Sequence, residues 1–376
     1  MPVSVVVGGQ FGSEGKGKVA LHEARRRNAA AVVRVGGTNS GHTGVDDNGR
    51  TWAFRQLPAA SLAPNALILL PAGSLVDIRI LVKEVGQMGL TPARVKIDPM
   101  ATVISDEDRQ AEHGSGLIDA IGSTGSGTGA ALQRRISRLG SGVSLQARDH
   151  PELAPYLCDT TKLMREILDH EGRIVIEGTQ GFGLSIMHGG YYPNTTSRDT
   201  TAATFVGEAG LSPRDVDDVI LVIRSFPIRV NGNSGELPYE ITWEELAKEA
   251  GLPPGYHELT TATRRIRRVG RFNSEIVRRA ITVNQPTTIV LNHLDYVDAS
   301  VSTDNFSQRA LDFLESVEKQ LRAKVTWVGT DPAKLAPRSY FEAQTHREAA
   351  QEDKPSTTSS RNGASSRSAS SRELAL

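Results

Sequence analysis

The sequence predicts an α/β fold in which a large, mostly parallel sheet is flanked by helices. Apolar runs at residues 3–7 and 29–35 each stop at a pair of glycines, as buried parallel strands do where the chain turns toward a ligand or a helix. Residues 75–88 are predicted to form a helix. Further apolar strands are predicted at residues 66–70, 94–97, 173–177, 219–223, 288–291 and 325–328.

Composition limits the class of protein. The chain has 376 residues, enough to bury a large core, and Lys plus Arg equals Asp plus Glu at 43 each, so no overall charge attracts nucleic acid or a membrane surface. The single Cys158 excludes a disulfide framework, and no apolar run reaches membrane-spanning length. We therefore expect a cytoplasmic protein that binds neither nucleic acid nor membrane. One catalytic domain is expected over residues 1–345, and a disordered tail rich in Ser and Arg over residues 346–376.

The first glycine-rich turn, GGQFGSEGKGK at residues 8–18, predicts a phosphate site. Its five glycines between Gly8 and Gly17 let backbone amides converge, the following helix adds a positive end, and Lys16 adds a mobile cation. The Walker A spacing is one residue too long, and Gly17 stands where Ser or Thr would hold magnesium, so an ordinary P-loop ATPase is disfavoured. The alternative is a merely tight strand-to-helix turn, which needs only one or two glycines.

A second loop, GGTNSGHT at residues 36–43, follows the second predicted strand. Ligands of α/β sheets bind at the carboxyl ends of parallel strands, where this loop is expected. His42 is the histidine most deeply embedded in a loop, and Gly41 and Thr43 leave room for close approach. A solvent-facing histidine is the alternative.

These two loops resemble those of the adenylosuccinate synthetase family, which read G-x-Q-W-G-D-E-G-K-G-K and G-G-x-N-A-G-H-T, and the likeness extends over most of residues 3–332. The resemblance implies a P-loop-NTPase-like fold and a carbon–nitrogen ligase that uses Mg²⁺. In that reaction a γ-phosphoryl group moves onto O6 of IMP, and L-aspartate then displaces it at C6. The resemblance also implies a homodimer.

The resemblance implies the catalytic and donor residues. The residues expected to act in catalysis are Ser13, Lys16, His42 and Gln180. His42 is expected to be the acid that polarises the transferring phosphoryl group, and Ser13 and Gly41 are expected to bind magnesium. The residues expected to bind the donor nucleotide are Gly12, Ser13, Glu14, Gly15, Lys16, Gly17, Lys18, Gly41, His42, Thr43, Arg267, Asn292, His293, Asp295, Gly329, Thr330 and Asp331.

The glycine-rich segment IGSTGSGTG at residues 121–129 is a flexible linker or a second phosphate loop. It resembles the family's G-T-T-G-R-G-I-G-P segment, which implies that Ser123 and Thr124 hold the 5′-phosphate of the acceptor and that Arg138 reaches that phosphate across a dimer interface. Residues 177–181, EGTQG, resemble E-G-A-Q-G. The residues expected to bind the acceptor are Ser13, Asn39, Ser123, Thr124, Arg138, Gln180, Thr196 and Arg265.

The densest basic cluster is TTATRRIRRVG at residues 260–270. A nucleic-acid interface is the weaker interpretation, because aromatic residues are missing and the chain has no net positive charge. The cluster resembles T-T-G-R-x-R-R-x-G, which binds the carboxylates of L-aspartate, and arginine forks suit a dicarboxylate. The residues expected to bind aspartate are Thr261, Thr263, Arg265 and Arg267.

Two departures from the family pattern concern the nucleotides. His293 replaces the lysine of the N/T-K-x-D tetrad, while Asp295 is retained. A flat imidazole stacks on any purine, which favours ATP or dATP as donor. Ser13 replaces the aspartate that serves as general base and magnesium ligand.

Ser13 bears on the acceptor. A serine is small and neutral and can accept a hydrogen bond from the 2-amino group of guanine, which favours dGMP. This resembles the viral branch of the family that makes N6-succino-2-amino-2′-deoxyadenylate for diaminopurine DNA, and a viral source would place the enzyme in the host cytoplasm. Two alternatives stay open: an IMP-using adenylosuccinate synthetase with a relocated base, and an inactive nucleotide-binding regulator. The intact Lys16, His42 and Gln180 argue against the regulator.

Overall fold

The computed structural model describes residues 2–138, 145–260, 265–303 and 305–341. The part of the chain up to Arg338 forms one compact unit, which contains the sheets and helices of the fold. The predicted tail at residues 346–376 lies outside the described residues, so the predicted division at residue 345 stays a prediction.

Strands and helices alternate along most of the described chain. Among the described residues the strands are β1 Val3–Gly8, β2 Ala31–Arg34, β3 His42–Val45, β4 Thr51–Phe54, β5 Leu67–Leu70, β6 Leu75–Val76, β7 Val95–Ile97, β8 Thr102–Val103, β9 Ile174–Glu177, β10 Val216–Arg224, β11 Ile228–Arg229, β12 Glu240–Ile241, β13 Arg268–Gly270, β14 Thr288–Asn292, β15 Trp327–Val328 and β16 Ala336–Pro337. The helices are α1 Lys16–Arg26, α2 Ile78–Met88, α3 Asp106–Gly114, α4 Leu117–Ile121, α5 Thr128–Ser137, α6 Thr160–Asp169, α7 Ala202–Ala209, α8 Trp243–Ala250, α9 Ser274–Asn284 and α10 Gln308–Leu321. In the part of the chain that is described, none of these helices has both the length and the apolar character needed to cross a membrane.

Nine strands form one sheet in the order β16-β15-β14-β10-β1-β9-β2-β5-β7. All neighbours pair in parallel except β15 and β16, which are antiparallel. The predicted α/β fold with a large, mostly parallel sheet is therefore confirmed. Three smaller sheets surround it: β11-β13-β12, β3-β4 and β6-β8.

The central strand β1 is buried on both faces. Val6 lies in the apolar cluster that contains the buried face of α1. Because side chains alternate along a strand, Val5 and Val7 face the opposite side of the sheet, where they are equally buried. This explains why the strand reads as a continuous apolar run rather than as alternating apolar and polar residues.

The predicted helix at residues 75–88 was wrong at its start. Leu75–Val76 is strand β6, paired with β8, and the helix α2 begins only at Ile78. Asp77 has an extended backbone, and its side chain accepts a hydrogen bond from the amide of Ile80, which makes it the N-cap. The apolar pattern of the strand merges with that of the helix, and the capping residue marks the boundary.

Four adjacent strands end at the same edge of the sheet. Their last residues are Gly8 of β1, Arg34 of β2, Glu177 of β9 and Arg224 of β10. His42 was expected inside a loop, but it is the first residue of β3, where it pairs with Phe54 of β4. The carboxyl edge of the sheet is therefore where the predicted site residues converge, as in other open α/β sheets.

Candidate active site

A buried carboxylate shapes the turn between β1 and α1. Oε1 of Glu14 accepts hydrogen bonds from the amides of Gln10 and Gly12, at 3.1 and 2.8 Å, and Oε2 lies 2.7 Å from Nζ of Lys16. Glu14 and Lys16 are both buried. Because these donors come from both sides of the turn, the carboxylate fixes the shape of the loop together with the position of the lysine.

The start of α1 packs closely against strand β3. A side chain on Gly17 would place its Cβ 2.9 Å from the carbonyl oxygen of Thr43 and 3.0 Å from Cβ of His42. A Walker-type Ser or Thr therefore does not fit at this position unless β3 moves. The absence of that residue, noted in the sequence, has a steric cause.

The two lysines of the turn point to different places. Lys16 pairs with Glu14, whereas Nζ of Lys18 donates to the carbonyl oxygen of Asp331 at 2.8 Å. Burial lowers the pKa of Lys18 to about 8, while the charges of Asp331 and Asp295 oppose the shift. Lys18 thus brings positive charge to the region of the strand β14 tetrad.

One cavity, of about 320 Å³ and here called the second cavity, is lined by most of the residues predicted to bind the donor nucleotide. Those that line it are Ser13, Gly15, Lys16, Gly17, Lys18, Gly41, His42, Thr43, Arg267, His293, Asp295 and Asp331. Those that do not are Gly12, Glu14, Asn292, Gly329 and Thr330. Asn292 is buried and donates from Nδ2 to the carbonyl oxygen of Glu14 at 2.7 Å, so it supports the turn.

A cavity of about 360 Å³, the first cavity, collects predicted acceptor residues. Those that line it are Asn39, Ser123, Thr124, Gln180 and Thr196. Glu112, which the sequence reasoning missed, also lines it and accepts hydrogen bonds from the amides of Gly127 and Gly129, at 2.8 and 2.6 Å. The amides of Gly127 and Gly129 therefore already have a partner. The Ser123 hydroxyl accepts from the amide of Gly125 at 3.3 Å, and the Thr124 hydroxyl lies 3.0 Å from that of Ser126.

Three predicted acceptor residues lie elsewhere. Ser13 lines the second cavity, and neither Arg138 nor Arg265 lines either one. Arg138 is exposed at the end of α5. Arg265 is exposed, and two hydrogen bonds of 2.8 and 2.9 Å join it to Thr260. Two predicted aspartate-binding residues lie outside the described residues: Thr261 and Thr263.

Ser13 is held from two directions. Its Oγ accepts a hydrogen bond of 2.7 Å from Nη1 of Arg267, and its carbonyl oxygen accepts one of 3.0 Å from Nη1 of Arg224. Its backbone φ is 56°, a left-handed conformation that is uncommon for a residue with a side chain. Its hydroxyl is thus directed at the predicted aspartate-binding arginine.

A charged cluster around Glu258 was not predicted. Glu258 pairs with the buried Arg224 and accepts a hydrogen bond of 2.6 Å from the hydroxyl of Tyr296. Burial alone would raise the pKa of Glu258, but Arg224 and the neighbouring cations hold it at about 2. Arg224 ends the parallel strand β10, and that position was the one signal in the sequence that could have identified it.

His42 also has partners that were not predicted. Its Nδ1 lies 2.6 Å from Oε1 of Glu177 and 2.6 Å from Nη1 of Arg34. Burial and the charge of Arg34 lower the pKa of His42 to about 4, against the opposing effect of Glu177. The imidazole is therefore neutral at pH 7.

The tetrad residues at the end of β14 lie near Lys18 and Tyr296. The ring centroid of His293 is 5.2 Å from that of Tyr296, with an interplanar angle of 54°. Burial and Arg224 lower the pKa of His293 well below its ordinary value. Burial raises the pKa of Asp295 to about 6. Both residues line the second cavity and present a neutral ring and a weakened acid to a ligand.

Nothing in the described part of the chain forms a protein cage for a metal ion, since no three His, Cys, Asp or Glu side chains group together there. Ser13 and Gly41 line the second cavity and offer oxygen atoms. Mg²⁺ prefers oxygen ligands and is commonly held by one or two protein groups plus substrate phosphates. Gly41 therefore fits as an oxygen ligand of a magnesium ion that arrives with a nucleotide, whereas both oxygens of Ser13 already accept hydrogen bonds from arginines.

A parallel sheet whose central strand ends in a glycine-rich, lysine-bearing turn at a helix N-terminus defines a P-loop-like α/β protein. The chain belongs to the adenylosuccinate synthetase family, whose sequence profile matches residues 5–150 and 143–303. Adenylosuccinate synthetases of Thermococcus onnurineus and Pyrococcus horikoshii are 38% and 36% identical to it over 340 residues, which cover 88% of this chain and 96% of each relative. The protein is therefore a ligase of the adenylosuccinate synthetase type.

Two solved structures are similar. The succinoaminodeoxyadenylate synthetase (PurZ) of cyanophage S-2L, bound to dGMP and to dATP as an energy donor, is 30% identical, with a TM-score of 0.75 over 92% of this chain and 99% of that one. The fully ligated adenylosuccinate synthetase of Plasmodium falciparum has a TM-score of 0.78 at 20% identity, over 90% of this chain and 100% of that one. The second likeness shows the shared fold alone.

Proposed function

We propose that this ligase joins L-aspartate to C6 of dGMP at the expense of ATP or dATP, through a 6-phosphoryl intermediate. The product is N6-succino-2-amino-2′-deoxyadenylate, for diaminopurine DNA. The observation that carries the proposal is Ser13, a neutral hydroxyl in a loop where the family pattern has an aspartate. The likeness to a phage enzyme whose structure holds dGMP and dATP supports it.

The two cavities suit two nucleotides. The turn after β1 contributes to both, because Phe11 lines the first cavity and Ser13 lines the second. The second cavity carries the cations Lys16, Lys18 and Arg267, which suit a triphosphate and a dicarboxylate. Phosphoryl transfer from a donor in the second cavity to O6 of an acceptor in the first would cross this turn.

Each polar residue has a proposed role in this arrangement. His42 donates a hydrogen bond to the transferring phosphoryl group, Lys16 neutralises its charge, and Gln180 orients the purine. Arg267 binds a carboxylate of L-aspartate. When bound, Mg²⁺ offsets negative charge on the phosphates. Gly41 would contribute to holding it, and Ser13 would do so only after giving up its bond to Arg267 or Arg224.

The proton on N1 of the purine needs an acceptor other than Ser13, because a serine is a poor base. Glu258 lies in the second cavity, but Arg224 holds its pKa at about 2, so it accepts a proton weakly. We therefore assign the N1 proton to water or to the incoming aspartate. Loss of that proton makes O6 nucleophilic, so O6 attacks the γ-phosphorus and ADP or dADP leaves. The aspartate amine then bonds to C6, inorganic phosphate leaves with O6, and the nitrogen loses a proton to water.

A turnover assay tests the proposal. The protein is incubated with L-aspartate, Mg²⁺, ATP or dATP and either dGMP or IMP, and phosphate release and product mass are measured. We expect turnover with dGMP. Ser13→Asp should remove the use of dGMP, whereas Ser316→Asp, the same exchange at an exposed position of α10, should not.

An IMP-using adenylosuccinate synthetase is the second candidate, favoured by the relatives at 36% and 38% identity, which are adenylosuccinate synthetases. It predicts turnover with IMP alone and an increase on Ser13→Asp. If no phosphate is released with either dGMP or IMP, both candidate functions are overturned and the inactive regulator is left.

We also propose a homodimer in which Arg138 completes the acceptor site of the other subunit. Its exposure and its position outside both cavities of its own chain support a role in trans. Mixing the Arg138→Ala and Lys16→Ala variants should restore activity. In the mixed dimer, the Arg138→Ala subunit keeps its own Lys16 and receives Arg138 from the other subunit, which gives one intact site. Absence of complementation, with mixed dimers shown by native mass spectrometry, would contradict it.

A further inference from the structure

Nδ1 of His42 lies between a hydrogen-bond donor and an acceptor. Nη1 of Arg34 and Oε1 of Glu177 are each 2.6 Å from it, and all three side chains are buried. Arg34 and Glu177 are register partners at the ends of the adjacent strands β2 and β9, so their positions follow from the sheet. A ring nitrogen carries either a proton or a lone pair, so in the neutral ring Nδ1 serves only one of these partners.

Glu177 does not depend on His42 for its hydrogen bonds. Its Oε1 accepts from the amide of Ala59 at 3.0 Å and from Nη1 of Arg34 at 3.2 Å, and its Oε2 accepts from the amide of Ala60 at 3.1 Å. These donors distribute over both carboxylate oxygens. An ionised Glu177 is therefore satisfied when Nδ1 carries no proton.

Arg34 has fewer options, because a guanidinium donates and never accepts. Its Nη2 reaches the hydroxyl and the carbonyl oxygen of Ser40, at 3.2 and 3.4 Å. One hydrogen on Nη1 can go to Glu177, and the other faces His42, with Nδ1 at 2.6 Å and Nε2 at 3.3 Å. The shorter contact requires a lone pair on Nδ1.

We propose that Arg34 is a positioning residue for His42, because by donating to Nδ1 it keeps the ring proton on Nε2. Nε2 has no acceptor among the described residues, and His42 lines the second cavity. A proton there donates to a phosphoryl oxygen, whereas a lone pair there would repel it. This functional part rests on the proposed function, while the tautomer itself does not.

The tautomer is measured on the ligand-free protein by two-bond ¹H–¹⁵N correlation spectra of the imidazole, with His42→Gln used to assign its signals among the nine histidines. We expect the Nε2–H form in the wild type. Arg34→Met leaves Glu177 as the partner of Nδ1 and should convert the ring to the Nδ1–H form. It should also lower kcat about 100-fold, a typical effect of losing a positioned proton donor.

A double variant separates positioning from mere support of the fold. In Arg34→Met/Glu177→Gln the carboxylate that competes for the ring proton is gone, and the side-chain amide donates to Nδ1 at the expense of the bond from the Ala59 amide. The Nε2–H form should then return, and kcat should recover at least about 10-fold relative to Arg34→Met. A purely structural role predicts instead that the second substitution lowers activity further.

The Nδ1–H form in the wild type, or an unchanged tautomer in Arg34→Met, would overturn the proposal. If Arg34→Met fails to fold by circular dichroism, the wild-type spectrum decides, because the Nδ1–H form there overturns the proposal by itself. These spectra need no substrate, so failure of the dGMP assignment leaves this test intact.

Discussion

Nη1 of Arg267 donates a hydrogen bond of 2.7 Å to Oγ of Ser13, across 254 positions of sequence. It joins the residue at which the chain departs from the family pattern to the residue proposed to bind aspartate. The same guanidinium donates from Nε to the carbonyl oxygen of Leu259 at 3.2 Å. Arg267 is thus held at its base while its tip faces the cavity.

Arg267→Met should weaken the use of L-aspartate. Hydrogen bonds to charged groups contribute about 1.5–3 kcal/mol, so kcat/KM for aspartate should fall by about 10- to 100-fold, mainly through KM. Initial rates at varied aspartate concentration measure this. Arg271→Met is the matched control, because Arg271 is half-exposed and pairs with Glu249. Equal losses in the two variants would contradict the assigned role.

Glu14→Gln should destabilise the protein. The substitution leaves Lys16 as a buried cation without its carboxylate, and breaking a buried pair costs about 3–5 kcal/mol. Thermal and urea unfolding measure the change, and Glu315→Gln on the exposed face of α10 is the control. The double variant Glu14→Gln/Lys16→Met should recover part of the stability. A loss in Glu14→Gln no larger than that of the control would contradict the importance of this pair.

Asp295 should make stability depend on pH. Burial raises its pKa from 3.8 to about 6, so its contribution to stability is fully present below pH 3.8 and is lost as the pH rises through about 6. Asp295→Asn should therefore be more stable than the wild type at pH 8, by up to about 3 kcal/mol, and the difference should vanish near pH 4. Urea unfolding at both values measures this. A difference that grows toward low pH would show that the sign is wrong.

Gly17→Ser should not create a working Walker-type site. The added Cβ would meet Thr43 and His42 of strand β3 and displace the imidazole proposed to act in catalysis, so kcat should fall, and stability should drop by about 1–3 kcal/mol. Gly86→Ser is the control, because a Cβ on Gly86 of α2 meets nothing within 4 Å. Activity and melting temperature are compared for both. An active Gly17→Ser variant would mean that β3 moves easily to make room for the added side chain.

The sheet could be predicted from the sequence because the signal of a buried parallel strand is local. Residues 3–7, for example, are all valine except Ser4, and β1 is covered on both faces. The start of α2 could not be placed, since the strand Leu75–Val76 and the helix share one apolar run and only the bond made by Asp77 separates them.

The two glycine-rich segments identified the second cavity because their signal is also local. A glycine is required where the backbone packs closely, as at Gly17, which leaves no room for a Cβ beside β3. Arg224 with Glu258, and Arg34 with Glu177, were missed because each pair joins residues far apart in sequence. In neither pair does the local sequence around one residue indicate the other.

The basic cluster shows a further limit of sequence reasoning. It supplied two candidates for binding aspartate, Arg265 and Arg267, but composition does not say which side chain turns inward. Arg267 lines the second cavity, while Arg265 is exposed. The amide of Arg265 donates to the hydroxyl of Thr260, and Nε of Arg267 donates to the carbonyl oxygen of Leu259, and neither bond can be read from the sequence.

The span between Ser13 and Arg267 bears on how the enzyme is made. A ribosome that has released the first turn must still synthesise more than two-thirds of the chain before the opposite wall of the second cavity exists. Contacts of such long range form late and slow the search for the native state. A partly synthesised chain therefore has no complete second cavity. Nucleotide binding then indicates that the segments containing Ser13 and Arg267 have come together.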